Sequence, residues 1–294
     1  MEIIFLGTSA MHPTKDRNLF SILFKHNKEN ILIDCGEGTQ RQLKIADFSP
    51  TKINRILITH LHGDHINGLP GLFQNLYANE YKKTLEIYGP KGTKTLIKNV
   101  LKLVLGKIKI KVNEIKSGTI IKTEDLIIKA IPLNHTIKSY GYSIEETPKR
   151  KININYTKKF GLTKHPLLKQ LQKGKNIIYN NKKILASKAT YILKGKKITF
   201  IIDTAYCSNA IKLAKRSDIL ICESTFAEDK KEKANVYKHL TARQAATIAK
   251  KTKSKKLILT HFSQRYKTTE LLQKEAKKIF KNTICAKDFM KIKI

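Results

Sequence analysis

Ile56-Leu57-Ile58-Thr59-His60-Leu61-His62-Gly63-Asp64-His65 is the stretch on which the fold turns. An apolar, strand-like run ends, and four potential metal ligands follow within six residues, His60 to His65. On an extended chain His60 and His62 point to the same side. Gly63 permits a sharp turn, so Asp64 and His65 can reach a second point nearby. Neutral imidazole and carboxylate suit zinc or another borderline divalent ion. A single histidine in such a place is commonly a hydrogen-bonded core residue, but packing does not account for three of them with an aspartate on one loop.

Four ligands from one loop cannot complete two metal sites, so distant partners are required. His135 follows the apolar run Leu126–Ile131, Asp203 ends Ile198-Thr199-Phe200-Ile201-Ile202, and His261 ends Leu257-Ile258-Leu259-Thr260. Each sits at the C-terminal end of an expected strand, where α/β scaffolds present functional side chains. His239 lies in a comparable place, whereas His12, His26 and His165 do not.

The pattern spreads outward from these runs. Short β-branched segments recur at Ile3–Leu6, Phe20–Phe24, Ile31–Asp34, Leu85–Tyr88, Ile108–Val112, Tyr140–Ile144 and Asp218–Cys222. Apolar residues spaced three and four apart predict helices over Gly68–Tyr81, Lys94–Leu105, Asn209–Arg216, Thr241–Lys250 and Thr269–Phe280. Strands joined by both hairpins and helices imply a mixed α/β domain with two sheets and flanking helices, not a purely parallel sheet. At 294 residues the chain can bury a full core.

No stretch approaches the ~18 apolar residues of a membrane span, and the N-terminus runs straight into a strand pattern without a signal-peptide layout. The four cysteines (Cys35, Cys207, Cys222, Cys285) form no C-x-x-C pair. Reduced core thiols and a cytoplasmic location are therefore expected. A net charge of +35, from 58 basic and 23 acidic residues, attracts polyanions such as nucleic acid or an anionic membrane. Only seven of the basic residues are Arg, so a lysine-rich solvated surface from coding bias is the competing reading. Distribution discriminates better than the total. From Thr147 to Ile202 there is no Asp or Glu against fifteen Lys or Arg. With weak periodicity and few large apolar residues over its first part, this segment reads as a basic arm gripping a polyanion, or else as a solvated excursion.

The H-x-H-x-D-H loop and the three later ligands, in this order, resemble the metallo-β-lactamase superfamily. Asp34-Cys35-Gly36-Glu37-Gly38 fits as support behind the loop. Within the superfamily the chain is similar, over essentially its whole length, to the ribonuclease Z family, endonucleases that remove the 3′ trailer of precursor tRNA. Cys222-Glu223-Ser224-Thr225 resembles that family's H-E-A-T segment, His239-Leu240-Thr241 its H-S-T segment, and Pro13-Thr14-Lys15-Asp16-Arg17-Asn18 its P-x-K-x-R-N loop. Cys222 stands for a histidine and Leu240 for a serine, and Thr163-Lys164-His165-Pro166 replaces the Gly-Pro-rich tip of the family's arm.

The resemblance implies an αββα four-layer sandwich with a protruding basic arm: residues 1–294 as one domain, with a tRNA-binding insertion at approximately 147–190. It implies two divalent ions, zinc foremost. His60, His62 and His135 would hold one, Asp64, His65 and His261 the other, and Asp203 would bridge them. Asp64, His239 and Glu223 become the catalytic residues, with His239 protonating the leaving 3′-oxygen. Lys15, Arg17 and Asn18 become substrate-binding residues. Precursor tRNA is the expected partner, and a homodimer the expected assembly. Rival readings are a small-molecule phosphodiesterase or other hydrolase on the same scaffold, and a non-catalytic RNA-binding protein.

Overall fold

The structure, a computed structural model, describes residues 1–294. Two seven-stranded sheets carry the fold. The first runs, in spatial order, Lys291–Lys293, Glu2–Gly7, Ser21–His26, Glu29–Ile33, Arg55–Leu57, Leu85–Gly89 and Ile110–Glu114. The second runs Thr283–Cys285, Lys256–Thr260, Ile219–Glu223, Lys197–Ile201, Ser139–Glu146, Leu126–Leu133 and Gly118–Lys122. Each sheet mixes connection types as the sequence pattern predicts. Antiparallel hairpin pairing joins Ser21–His26 to Glu29–Ile33, while helices connect parallel neighbours such as Lys197–Ile201 and Ile219–Glu223.

Why four layers form follows from the strands' side chains. Successive residues face opposite sides of a sheet, and here both sides are apolar. In Glu2–Gly7, Ile4 and Leu6 pack in one cluster with Leu69, Leu72, Phe73 and Leu76 of the helix Leu69–Ala78. Ile3 and Phe5, on the opposite face, are equally buried. In the second sheet Leu257, Leu259, Leu220 and Cys222 pack with Ala245, Ala246, Ile248 and Ala249 of the helix Ala242–Lys251. Ile258, Ile219, Ile221 and Phe200 fill the other face. A strand buried on both faces needs a layer on each, which gives helix, sheet, sheet, helix. The Tyr142 hydroxyl, fully buried, donates to the Ile58 carbonyl at 2.6 Å and ties one sheet to the other beside the histidine loop.

The chain divides into two compact units. The first comprises Met1–Lys122, Ile128–Ile144 and Lys197–Ile294; the second comprises Thr123–Ile127 and Glu145–Lys196. The second unit contains the basic segment, and it has a core of its own. Leu162, Leu171, Ile177, Ile184, Ala186 and Ala189 are buried together, with Ile152, Tyr156, Phe160 and Leu167 packed against them. Lys149–Ile152 pairs antiparallel with Thr190–Leu193, and Ile177–Tyr179 with Lys182–Ile184. The sequence shows no periodicity here because each element contributes only one or two apolar residues. The cluster exists only once the short pieces meet.

A histidine–aspartate centre at the strand ends

All seven expected ligands converge. Their first group leaves the first sheet after Arg55–Leu57; the others leave the second sheet after Leu126–Leu133, Lys197–Ile201 and Lys256–Thr260. Asp203 and His261 turn out of their strands with φ of 47° and 58°, in the left-handed region. That region costs a non-glycine residue about 1–3 kcal/mol, held here by the buried frame so that the side chains swing into the centre.

His60 Nε2 lies 3.0 Å from His62 Nδ1, and His135 Nε2 lies 3.2 Å from the same atom. Asp203 Oδ2 is 3.5 Å from His60 Nε2, 3.7 Å from His135 Nε2 and 3.6 Å from His65 Nε2. Asp203 Oδ1 is 3.1 Å from His261 Nε2. Asp64 Oδ2 is 3.3 Å from His65 Nε2 and 3.6 Å from His261 Nε2. The donor atoms fall into one group of His60, His62, His135 and Asp203 and another of Asp64, His65 and His261, each within 4.8 Å.

Three observations fit this set to metal ions. First, His65 Nε2, His261 Nε2 and Asp203 Oδ1 are buried without a hydrogen-bond partner, although His261 and Asp203 nearly touch. Buried polar atoms are rarely left so, and lone pairs converging on one point are satisfied together by a cation. Second, in four of the five histidines the far nitrogen is engaged. His60 Nδ1 meets Thr59 Oγ1 at 2.9 Å, His65 Nδ1 meets Asp34 Oδ2 at 2.7 Å, His135 Nδ1 meets the Lys238 carbonyl at 3.1 Å, and His261 Nδ1 meets Thr225 Oγ1 at 3.1 Å. Partners behind the ring fix the tautomer and turn the Nε2 lone pair forward, as at metal sites generally. Third, the electrostatics suit a cation. Burial holds the His60, His62 and His135 imidazoles below their usual range, in the neutral ligating form. Burial opposes ionisation of Asp203, but His261, His239 and His65 outweigh it and hold the carboxyl well below its usual range. Burial likewise opposes the charge on His65, and Asp203, Asp34 and Asp64 outweigh it.

Asp34 braces the loop from below. Fully buried, its Oδ1 accepts from Thr59 N at 2.7 Å and its Oδ2 from Thr59 Oγ1 at 2.7 Å, besides meeting His65.

Beside the ligands lies a second, fully organised pair. Glu223, with no exposed surface, accepts from Thr204 N at 2.6 Å, Thr225 Oγ1 at 2.7 Å and Leu240 N at 3.1 Å. Its carboxylate meets His239 Nδ1 at 3.1 and 3.2 Å. Burial pulls the His239 proton off, but Glu223 and Asp203 outweigh it and raise the imidazole to about 9. The next residues pin His239 in turn: Thr241 and Gln244 form a reciprocal capping box that starts the helix Ala242–Lys251. The two departures from the family's motifs are accommodated here. The Cys222 side chain points into the helix-side core, and Leu240 does likewise while its backbone N–H serves Glu223. Neither position needs a polar side chain for the Glu223–His239 contact.

A cavity of about 570 Å³ opens over the centre, lined by His62, Asp64, His135, Asp203, His239 and His261 among others. Several further lining residues escape sequence reasoning: Met11, His12, Asn67, Phe226, Tyr237 and Arg265. Met11 stands out, because its N–H donates to Asp64 Oδ2 at 2.9 Å. Its left-handed φ of 54° could not be read from a methionine. Of the Pro13–Asn18 loop, Lys15 is exposed, whereas Arg17 and Asn18 are tied inward. Arg17 Nη2 donates to the Tyr266 carbonyl at 2.7 Å and Asn18 Nδ2 to the Glu37 carbonyl at 2.8 Å. None of the three lines the cavity.

Two packed sheets whose strand ends share a histidine–aspartate cluster define a hydrolase of the β-lactamase superfamily, and a profile described as the β-lactamase superfamily domain matches residues 157–262. A profile described as anti-Pycsar protein Apyc1 matches residues 1–189. The full length is covered by ribonuclease Z of Methanothermobacter thermautotrophicus, 37% identical over 297 residues spanning 100% of this chain and 97% of that protein. Ribonuclease Z of Listeria monocytogenes is 40% identical over 98% of this chain and 97% of its own. Human tRNase Z, short form, superposes with a TM-score of 0.74 at 29% identity, covering 100% of this chain and 99% of its own. The metallo-β-lactamase fold protein YhfI of Bacillus subtilis, at 18% identity and a TM-score of 0.73 over 99% and 98% of the two chains, shares the fold. The chain belongs to the ribonuclease Z family.

Proposed function

We propose that this protein is the endoribonuclease that cuts the 3′ trailer from precursor tRNA, leaving a 3′-hydroxyl on the tRNA and a 5′-phosphate on the trailer. The observation that carries the reading is the pairing of the ligand cluster with the Glu223–His239 dyad on one cavity, in a chain related to ribonuclease Z from end to end. His60, His62 and His135 would hold one divalent ion, Asp64, His65 and His261 a second, with Asp203 shared. The nitrogen-rich donor set favours zinc. Such ions supply water acidified towards neutrality and charge neutralisation at the attacked phosphate.

The chain's own residues supply the proton handling. Asp64 Oδ2, steadied by the Met11 amide, orients the attacking water and accepts from it. His239 has Nδ1 committed to Glu223, which leaves its other nitrogen to protonate the departing ribose 3′-oxygen. Glu223 keeps that imidazole charged until transfer. Lys15, exposed at its loop tip, meets the acceptor end, and Arg17 and Asn18 hold the loop that presents it. The unit rich in lysine grips the tRNA body from residues 147–190, and in a homodimer would serve the partner's site. No helix is long and apolar enough to cross a membrane, and the work belongs in the cytoplasm with its substrate.

The test is a labelled precursor tRNA with a 3′ trailer, cut with and without chelator and mapped to the nucleotide. A chelator-sensitive cut beside the acceptor stem supports the reading. Asp64→Ala should abolish it while leaving tRNA binding largely intact, and an Asp64→Ala enzyme cutting at the normal rate removes Asp64 from the mechanism.

A further inference from the structure

Lys238 joins the helix Lys231–Tyr237 to His239, and its backbone is left-handed, with φ and ψ both 53°. The turn has the hydrogen bonds of a Schellman motif: Lys238 N donates to the Asn235 carbonyl at 3.2 Å and His239 N to the Ala234 carbonyl at 2.8 Å. Glycine fills this position at least cost, so a lysine there calls for a reason. One lies in what the residue touches. The Lys238 carbonyl accepts from His135 Nδ1 at 3.1 Å, and the Lys238 ammonium donates to the His135 carbonyl at 3.3 Å. Main chain and side chain of one residue thus hold the ring and the backbone of another, 103 positions away.

Little else steadies this side of His239. Ala234 is the one buried residue of the helix Lys231–Tyr237, whose Val236 and Tyr237 are 72% and 56% exposed. His135, by contrast, is buried just beyond a strand of the second sheet, Leu126–Leu133. The His135 and His239 rings are neighbours, their centres 5.1 Å apart. On the proposed function, from which this inference starts, the first ring holds an ion and the second protonates the leaving 3′-oxygen. We infer that Lys238 is a positioning residue that locks these two rings into register. Its carbonyl fixes the His135 ring, and its ammonium stops the helix end from pivoting about that single hydrogen bond. A proton donor tolerates little such play, because a displacement of about 1 Å costs on the order of 100-fold in rate.

The test compares wild type with Lys238→Met, Lys238→Gly and Lys238→Arg. Lys238→Gly removes the donor while easing the left-handed turn, so a loss it shares with Lys238→Met is not a folding defect. Zinc competition against a graded chelator, with no RNA present, should show one ion bound about tenfold more weakly in both, the low end of what losing support behind a ligand costs. An ammonium beside the ions also repels them, so charge alone would make both variants bind zinc more tightly. At saturating zinc, kcat on precursor tRNA should fall further than kcat on bis(4-nitrophenyl) phosphate, whose leaving group needs no proton, and KM for the RNA should hold. Lys238→Arg, which keeps a cationic donor, should recover most of both losses. Zinc affinity unchanged or raised in Lys238→Gly and Lys238→Met, equal falls on RNA and the small diester, or a raised KM with kcat intact would each overturn the assignment. Wild type failing to cut precursor tRNA at all would instead overturn the function beneath it. The zinc competition, which needs no RNA, would then still decide whether Lys238 holds His135.

Discussion

Asp34→Asn changes one atom and isolates the brace beneath the histidine loop. Asp34 has a left-handed φ of 55°, a conformation asparagine tolerates well, so the backbone should be retained. The carboxylate accepts three hydrogen bonds at 2.7 Å, from Thr59 N, Thr59 Oγ1 and His65 Nδ1. An amide has one acceptor and one donor end. If its oxygen stays on Thr59 N, its NH2 faces His65 Nδ1–H, and the cheapest relief moves that proton to Nε2. The Nε2 lone pair that points at the centre is then blocked. If the amide flips, the Thr59 N–H loses its partner instead.

Loss of such a brace costs roughly 10–100-fold in metal affinity, or about 1.4–2.8 kcal/mol. It should fall first on the half-site of Asp64, His65 and His261, where His65 meets Asp34 directly, and less on the other, where Asp34 reaches His60 only through Thr59 Oγ1 and His135 leans on Lys238. Zinc competition against a graded chelator, with elemental analysis of the dialysed protein, should show one ion weakened more than the other. Near-ultraviolet circular dichroism checks that the fold survives. An Asp34→Asn protein that holds both ions as tightly as wild type would refute the tautomer argument.

Two other expectations are simpler to state. Glu223→Gln removes the charge that raises His239, so the fraction of protonated imidazole falls at alkaline pH. The high-pH limb of the kcat profile on RNA should move to lower pH, while a nitrophenyl ester, whose leaving group needs no proton, should lose far less; equal losses on both would argue against proton donation. Replacing residues 148–194 by a short turn is feasible because Glu146 N already donates to the Lys196 carbonyl at 2.9 Å. It should raise KM for precursor tRNA with little change on small diesters, and unchanged tRNA kinetics would return the basic segment to plain solvated surface.

How far the sequence could be read depended on the range of the information. The scaffold of the candidate site was legible because each expected ligand or ligand loop ends an apolar run, and a strand followed by His or Asp is a local signal. The helices Ala242–Lys251 and Glu270–Lys277 follow from spacing, with ends within a few residues of the expected ones. The strand Lys291–Lys293 was not legible: it holds a single apolar residue and exists because Glu2–Ile4 offers it an edge. The helix Thr39–Ile45 has too few turns to show a period. Met11 carries no motif of its own, and its place at the centre comes from backbone geometry. The small core around Leu162 and Leu171 was hidden for a related reason, since composition reports the charge of a segment and says little about how its few apolar residues meet.

The two sheets divide the expected ligands unequally. His60, His62, Asp64 and His65 belong to one, and His135, Asp203 and His261 to the other. Ions gripped from both sides would rivet the sandwich, and any parting of its halves would have to give them up. By mass action such binding deepens the folded state, by about 2.7 kcal/mol for each site at a free concentration a hundred times its dissociation constant. Heat resistance and catalytic competence would then rise and fall together with the supply of the same cation.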